Sequence, residues 1–260
     1  MRAVILLFFC HCSLVLCAQE VGSMSPLLDA LKSPNVQQRM SAFDGLRRDR
    51  DALKRPDVQA ALIDLLDREN RLIHGVTLVD RGEGYAEYVA DLLGTVAVAA
   101  DWRDQRQACI LAEGPYNPDS KFADELAVKG GSGIVPCLLK IAEGSIYGRQ
   151  DSGDVLDTYR QQAIPVIVHL EAISPDLSPL MRSQLRQAIT SGLHDRSGGV
   201  RLPTISALGR FGTAEWIPML QDIARTDPQS RILANGQRRF DVREAATNAI
   251  RSIQERVQTP

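Results

Sequence analysis

Two stretches near the C-terminal end of the chain repeat one another at an offset of 42 residues. Val200-Arg201, Thr204 and Ala207-Leu208 recur as Val242-Arg243, Ala246 and Ala249-Ile250. The arginine, small-residue, aliphatic spacing returns at Arg39, Ala42, Leu46 and at Arg160, Ala163, Ile167. A helical unit of this length cannot bury its apolar face alone and must lay it on the next unit. The pattern therefore predicts an all-α chain, a right-handed α-α superhelix (α-solenoid) of about six helical pairs. Aromatic residues make up only 5% of the chain, which suits helices joined through small and aliphatic side chains rather than around one aromatic core.

Residues 1–18 read as a leader. Met1 and Arg2 supply its positive end, positions 4–16 are almost wholly apolar, and Cys17-Ala18 precedes Gln19. The apolar run is shorter than the roughly 20 residues that span a bilayer. Leu16 before Cys17 departs from the small residue that a lipoprotein signal requires. The expectation is a cleavable signal peptide at 1–18, one domain at 19–260, and a secreted or periplasmic product with no membrane span after leader removal. Formal charge is −2 for the whole chain and becomes −3 without Arg2. That charge gives no general drive toward nucleic acid. Cys109 and Cys137 are the two cysteines left after the leader, both in apolar helical contexts. They are expected to be buried small hydrophobes, with pairing left open because sequence does not bring their Cα atoms together.

Helix signals follow along the chain. Ser25-Pro26 opens a short helix as N-cap and first residue, Ser33-Pro34-Asn35 makes a turn, and Pro56 starts a core helix. Residues 74–84 break the pattern before it resumes at Tyr85; Gly82 and Gly84 are too close, and lack the preceding strand, for a phosphate loop. Later helices are expected at 103–113, 122–128, 134–143, through Arg160 to His169 or Leu170, and through Leu180 to Leu193. Thr213 is expected to cap the helix through Trp216 and Ile223. Asn235-Gly236 between Ile232-Leu233 and Phe240 signals a short β-hairpin near 231–240.

The run Asp195, Val200-Arg201, Ala207-Leu208-Gly209, Phe211-Gly212, Ile217-Pro218 and Leu220 resembles a HEAT repeat of the phycobilisome-lyase type, and Asp241-Val242-Arg243 matches the start of another. The likeness is strong over 195–254 and weak over 67–120. It departs at Gln38, where a valine would precede Arg39, and at the insertion 228–239. The resemblance implies stacked helix pairs that serve as a protein-binding scaffold, and no single activity. Independently of it, Arg201 and Arg243 follow Asp195 and Asp241. At the start of a helix a guanidinium can bind carboxylates or open carbonyls of a neighbouring repeat as a ladder.

Chemistry-bearing patterns are sparse. His74, His169 and His194 form no His-Glu-x-x-His motif, and no His-Glu dipeptide of the kind used by HEAT-type iron hydroxylases occurs. His169 is expected to be a satisfied helix-end histidine. Acidic residues at 64–69 and 151–154 lack calcium-loop alternation. The expected protein is a non-enzymatic exported scaffold with no cofactor and no metal, bound to another protein; the alternative is a groove holding a small ligand or a lyase- or transferase-like activity. Loops at repeat edges nominate Tyr116, Tyr147, Arg149, Arg231, Arg238 and Arg239 as partner-binding residues.

Overall fold

The computed structural model describes residues 24–73, 84–117, 120–144 and 154–258. The expected leader, residues 74–83 of the expected break, and residues 145–153 lie outside them. The described chain is predominantly helical, with one tiny two-stranded sheet. Its helices are α1 (Met24–Leu31), α2 (Val36–Arg47), α3 (Pro56–Ile73), α4 (Tyr85–Ala99), α5 (Gln105–Ala112), α6 (Lys121–Gly130) and α7 (Val135–Ala142). They continue as α8 (Asp154–Ile173), α9 (Pro179–Leu193), α10 (Gly198–Phe211), α11 (Ile217–Thr226) and α12 (Asp241–Gln258). Strands β1 (Arg231–Ile232) and β2 (Arg238–Arg239) stand between α11 and α12.

Short polar side chains decide several helix starts. Asn35, Asp104, Ser120 and Ser178 each accept hydrogen bonds from backbone amides in the first turn of α2, α5, α6 and α9. Two expectations change. α1 begins at Met24, so Ser25 lies inside it rather than capping it. Thr213 makes no capping bond, because a 3-10 turn at Ala214–Trp216 stands between it and α11. At the glycine corner, Gly131 takes φ +50°, the left-handed region that glycine enters without strain.

Principal contacts run between helices one or two places apart in chain order: α1 on α2 and α3, α3 on α4 and α5, α5 on α6 and α7, α7 on α8 and α9. Then α8 meets α9 and α10, and α10 and α11 both lie on α12. Leu46, Leu66, Leu92, Leu111, Leu138, Ile167, Leu208 and Leu220 carry the burial from one contact to the next. Close approach is built in where α10 meets α12. A Cβ on Gly209 would stand 3.2 Å from the Cα of Ala249, so only glycine fits without displacing that helix.

The repeated arginines form a ladder. Nη1 of Arg39 donates to the carbonyls of Ser33 and Pro34 at 3.0 and 3.1 Å, while Nε and Nη2 grip the Glu69 carboxylate at 2.5 and 3.2 Å. Arg201 repeats the arrangement: Nη1 donates to Asp195 and Arg196 carbonyls at 2.7 and 3.1 Å, and Nε and Nη2 to Asp227 at 2.7 and 3.1 Å. The carboxylate partner of Arg201 is thus Asp227, and Asp195 serves it only through its carbonyl. The Asp195 carboxylate instead faces Arg160 of α8, 3.3 Å away. Asp227 passes the connection on, because its carbonyl accepts from Nε of Arg243 at 2.6 Å. Arg39, Glu69, Arg201 and Asp227 are all buried, and Glu69 also accepts from the Tyr85 and Tyr88 hydroxyls at 2.6 and 3.2 Å.

Cys109 of α5 and Cys137 of α7 form a disulfide, with Cα atoms 5.6 Å apart. This decides the pairing that sequence left open: α5 packs on α7, and that contact brings together residues 28 apart in sequence. Closing a loop of that size constrains the unfolded chain by roughly 3–4 kcal/mol. The double variant Cys109→Ser/Cys137→Ser should therefore lose about that much stability in urea unfolding, and reductant should have the same effect on the wild type but none on the variant. Arg201→Met leaves the Asp227 carboxylate buried without its cation and should cost about 3–5 kcal/mol; adding Asp227→Asn should return part of that loss.

Candidate functional site

The insertion between α11 and α12 folds as a finger. Asn235-Gly236 occupies the tip: Gly236 takes φ +78°, the Asn235 side chain accepts from the Gln237 amide at 3.0 Å, and the Leu233 amide donates to the Gln237 carbonyl at 2.8 Å. The two strands pair antiparallel, Arg231 opposite Arg239 and Ile232 opposite Arg238. Opposed residues share a face, so each pair stands on its own side of the ribbon.

The two sides differ in chemistry. Arg231 and Arg239 both reach Asp241, the first residue of α12, at 2.7 and 2.8 Å, and Arg239 also reaches Glu244 at 2.9 Å. These arginines fasten the finger to the start of α12. On the other side Ile232 is 73% exposed, and Arg238 has no ion-pair partner among the described residues. An exposed isoleucine beside an unpaired guanidinium is a pairing that a partner surface can use. In sequence Arg231, Arg238 and Arg239 are equivalent candidates, and Ile232 is not among them. Strand alternation from the Asn-Gly turn was the signal that could have separated them.

The other nominated residues do not join this face. Tyr116, expected on an exposed loop, is 7% exposed. Its ring packs 5.4 Å from Phe122 and its hydroxyl donates to the Gln162 carbonyl at 3.4 Å. Burial raises the phenol pKa well above its ordinary value, so the group is held neutral. The loop after α5 folds its aromatic ring inward because that ring has more apolar surface to bury than its polar neighbours. Tyr147 and Arg149 lie outside the described residues.

A second cluster joins three helices. His169 of α8 stacks on Phe211 of α10, with ring centroids 3.8 Å apart and planes 5° from parallel. Its Nδ1 lies 3.4 Å from Asp124 of α6 without hydrogen-bond alignment, so it is not the satisfied helix-end histidine expected. Arg210 donates to both oxygens of Asp124 at 3.1 and 2.9 Å, tying α10 to α6 past α8. Among the described residues no group of three or more His, Cys, Asp or Glu side chains is placed to hold a metal ion, and no helix is long and apolar enough to cross a membrane.

No known family's sequence profile matches the chain, and no curated protein matches it either.

Burial, aided by the nearby Arg210 and opposed by Asp124, lowers the His169 pKa below its ordinary 6.5. The folded state then binds that proton less readily than the unfolded chain. The stability concerned is complete above about 6.5 and declines as pH falls below it, toward the lowered folded value. His169→Phe should flatten that part of the stability-versus-pH curve, read by thermal unfolding from about a unit above the unfolded value to about one and a half below it.

Proposed function

We propose that the chain is an exported, non-enzymatic helical-repeat scaffold of the HEAT type that binds another protein. Its helices would stack as a right-handed superhelix, with the finger's outward face as a principal contact. Three features support the architecture: the arginine spacing recurring along the chain, the side-chain-to-carbonyl ladder built from it, and helix contacts confined mainly to near neighbours in sequence. The leader pattern and the Cys109–Cys137 disulfide suit an oxidising compartment outside the cytoplasm. The observation that carries the binding role is the division of labour in the finger: two arginines anchor it, leaving Ile232 and Arg238 on an exposed and firmly held face. A scaffold of this kind works by presenting a rigid surface, so little ordering is required on association.

The test is cross-linking of the tagged full-length protein in its own cell envelope or secreted fraction, followed by quantitative mass spectrometry. The wild type should recover one partner protein at fixed stoichiometry. Ile232→Asp/Arg238→Glu should lower that recovery at least tenfold, in line with the loss of about two anchoring contacts. Arg210→Ala, remote from the finger, should leave recovery unchanged. A copurifying small molecule with no stoichiometric protein partner would refute the proposal.

A further inference from the structure

Between the 3-10 turn at Ala52–Lys54, α3 and α4 lies an open groove of about 690 Å3. Its apolar lining comes from Leu53 and Leu62 on one wall and Ala90, Val98 and Ala99 on the other, with Gly94 between them. Ala90, Gly94 and Val98 are spaced four apart and form a single ridge along α4 that is small at Ala90 and Gly94. A Cβ added to Gly94 would meet nothing within 4 Å among the described residues, so none of them fills the space over the ridge. Val98 is 90% exposed, the most exposed of the large apolar side chains among the described residues.

The rim is charged on one side. Arg50 stands there with no ion-pair partner among the described residues. Lys54 shares that rim and is bonded to Asp51 at 2.7 Å. Asp91 on the opposite rim is ion-paired with Arg47, and the Gln59 amide donates to the Leu53 carbonyl. The unmatched charge of the groove is therefore positive and sits at Arg50. α3 and α4 have their backbones bonded within the helix and the Leu53 carbonyl of the turn is taken by Gln59, so an extended peptide would find few amides or carbonyls to pair with and would bury its own unpaired. A helix arrives with its backbone already bonded, and a ridge that is small at Ala90 and Gly94 lets it approach closely.

We propose that this groove receives an amphipathic helix of a partner protein, with its apolar face over Gly94 and an acidic side chain on Arg50. The inference rests on the reading of the chain as a protein-binding scaffold and adds a second contact and its chemistry. It is tested with two synthetic amphipathic helical peptides that share a leucine–alanine face and carry either glutamate or lysine beside it. These are titrated into the isotopically labelled full-length protein and followed by NMR. The glutamate peptide should shift residues of α3 and α4 saturably at concentrations below about 1 mM, and the lysine peptide should bind at least tenfold more weakly. Gly94→Trp fills the groove at an exposed position with open space around it; with an unchanged thermal unfolding curve it should weaken the glutamate peptide at least tenfold. Arg50→Glu should invert the preference between the two peptides.

The proposal falls if the two peptides bind alike, if the shifts lie away from α4, if Gly94→Trp binds as the wild type does, or if a long-chain carboxylate occupies the groove more tightly than either peptide. Ile232→Asp/Arg238→Glu serves as the control and should bind the glutamate peptide like the wild type. If cross-linking recovers a partner whose capture Gly94→Trp leaves unchanged, the groove is overturned and the scaffold reading stands. If no partner is recovered while the glutamate peptide binds as described, the groove stands and the scaffold reading is overturned.

Discussion

A helical chain whose contacts are mostly local in sequence has many helix ends, and each leaves carbonyls without intrahelical partners. Here arginine side chains answer that problem. Arg201 uses one nitrogen on the carbonyls before its own helix and the other two on the Asp227 carboxylate at the end of α11. The guanidinium can be buried because every edge of its planar fork has an acceptor; Gln229 supplies a further one at 3.0 Å. Its rungs connect where one aspartate serves two arginines, Asp195 through its carboxylate to Arg160 and through its carbonyl to Arg201. Asp227 does the same for Arg201 and Arg243.

That ladder also sets the root of the finger. The insertion leaves α11 at Asp227, held by Arg201 and Arg243, and returns at Asp241, held by Arg231 and Arg239. The Gln229 amide donates back to the Asp227 carboxylate, so the first residues of the excursion are fixed as well. A hairpin of two-residue strands is marginal alone. Fastened at both ends by charge-assisted bonds, it holds Ile232 and Arg238 in one orientation. The same ion pairs that fasten the finger occupy two of its three arginines, which stay exposed at its root.

The helices were legible where an apolar period runs on after a turn or a proline, as after Pro56 and through Leu180 to Leu193, while the caps Asn35, Ser120 and Ser178 emerged only in the structure. The Asn235-Gly236 turn was legible because few alternatives suit a positive φ. Ser25 and Thr213 misled for a common reason: a hydroxyl residue near a helix start marks the region and not the residue, and local turns compete for the same amides. Tyr116 misled because aromatic residues in loops are equally suited to a partner and to the protein's own interior. Only the placement of Phe122 and Gln162 chose between them.

By itself the sequence determined that the chain is helical, that arginines recur with a matched small-residue and aliphatic spacing, and where the segment before α12 turns. These follow from periodicity and backbone stereochemistry, which act over a few residues. Tertiary structure decided which carboxylate each arginine meets, that Cys109 and Cys137 pair, and that Ile232 stands outward while Arg231 and Arg239 turn back to Asp241. Those outcomes depend on contacts between residues tens of positions apart or on opposite faces of a ribbon. Spacing along the chain does not encode them until the helices have packed.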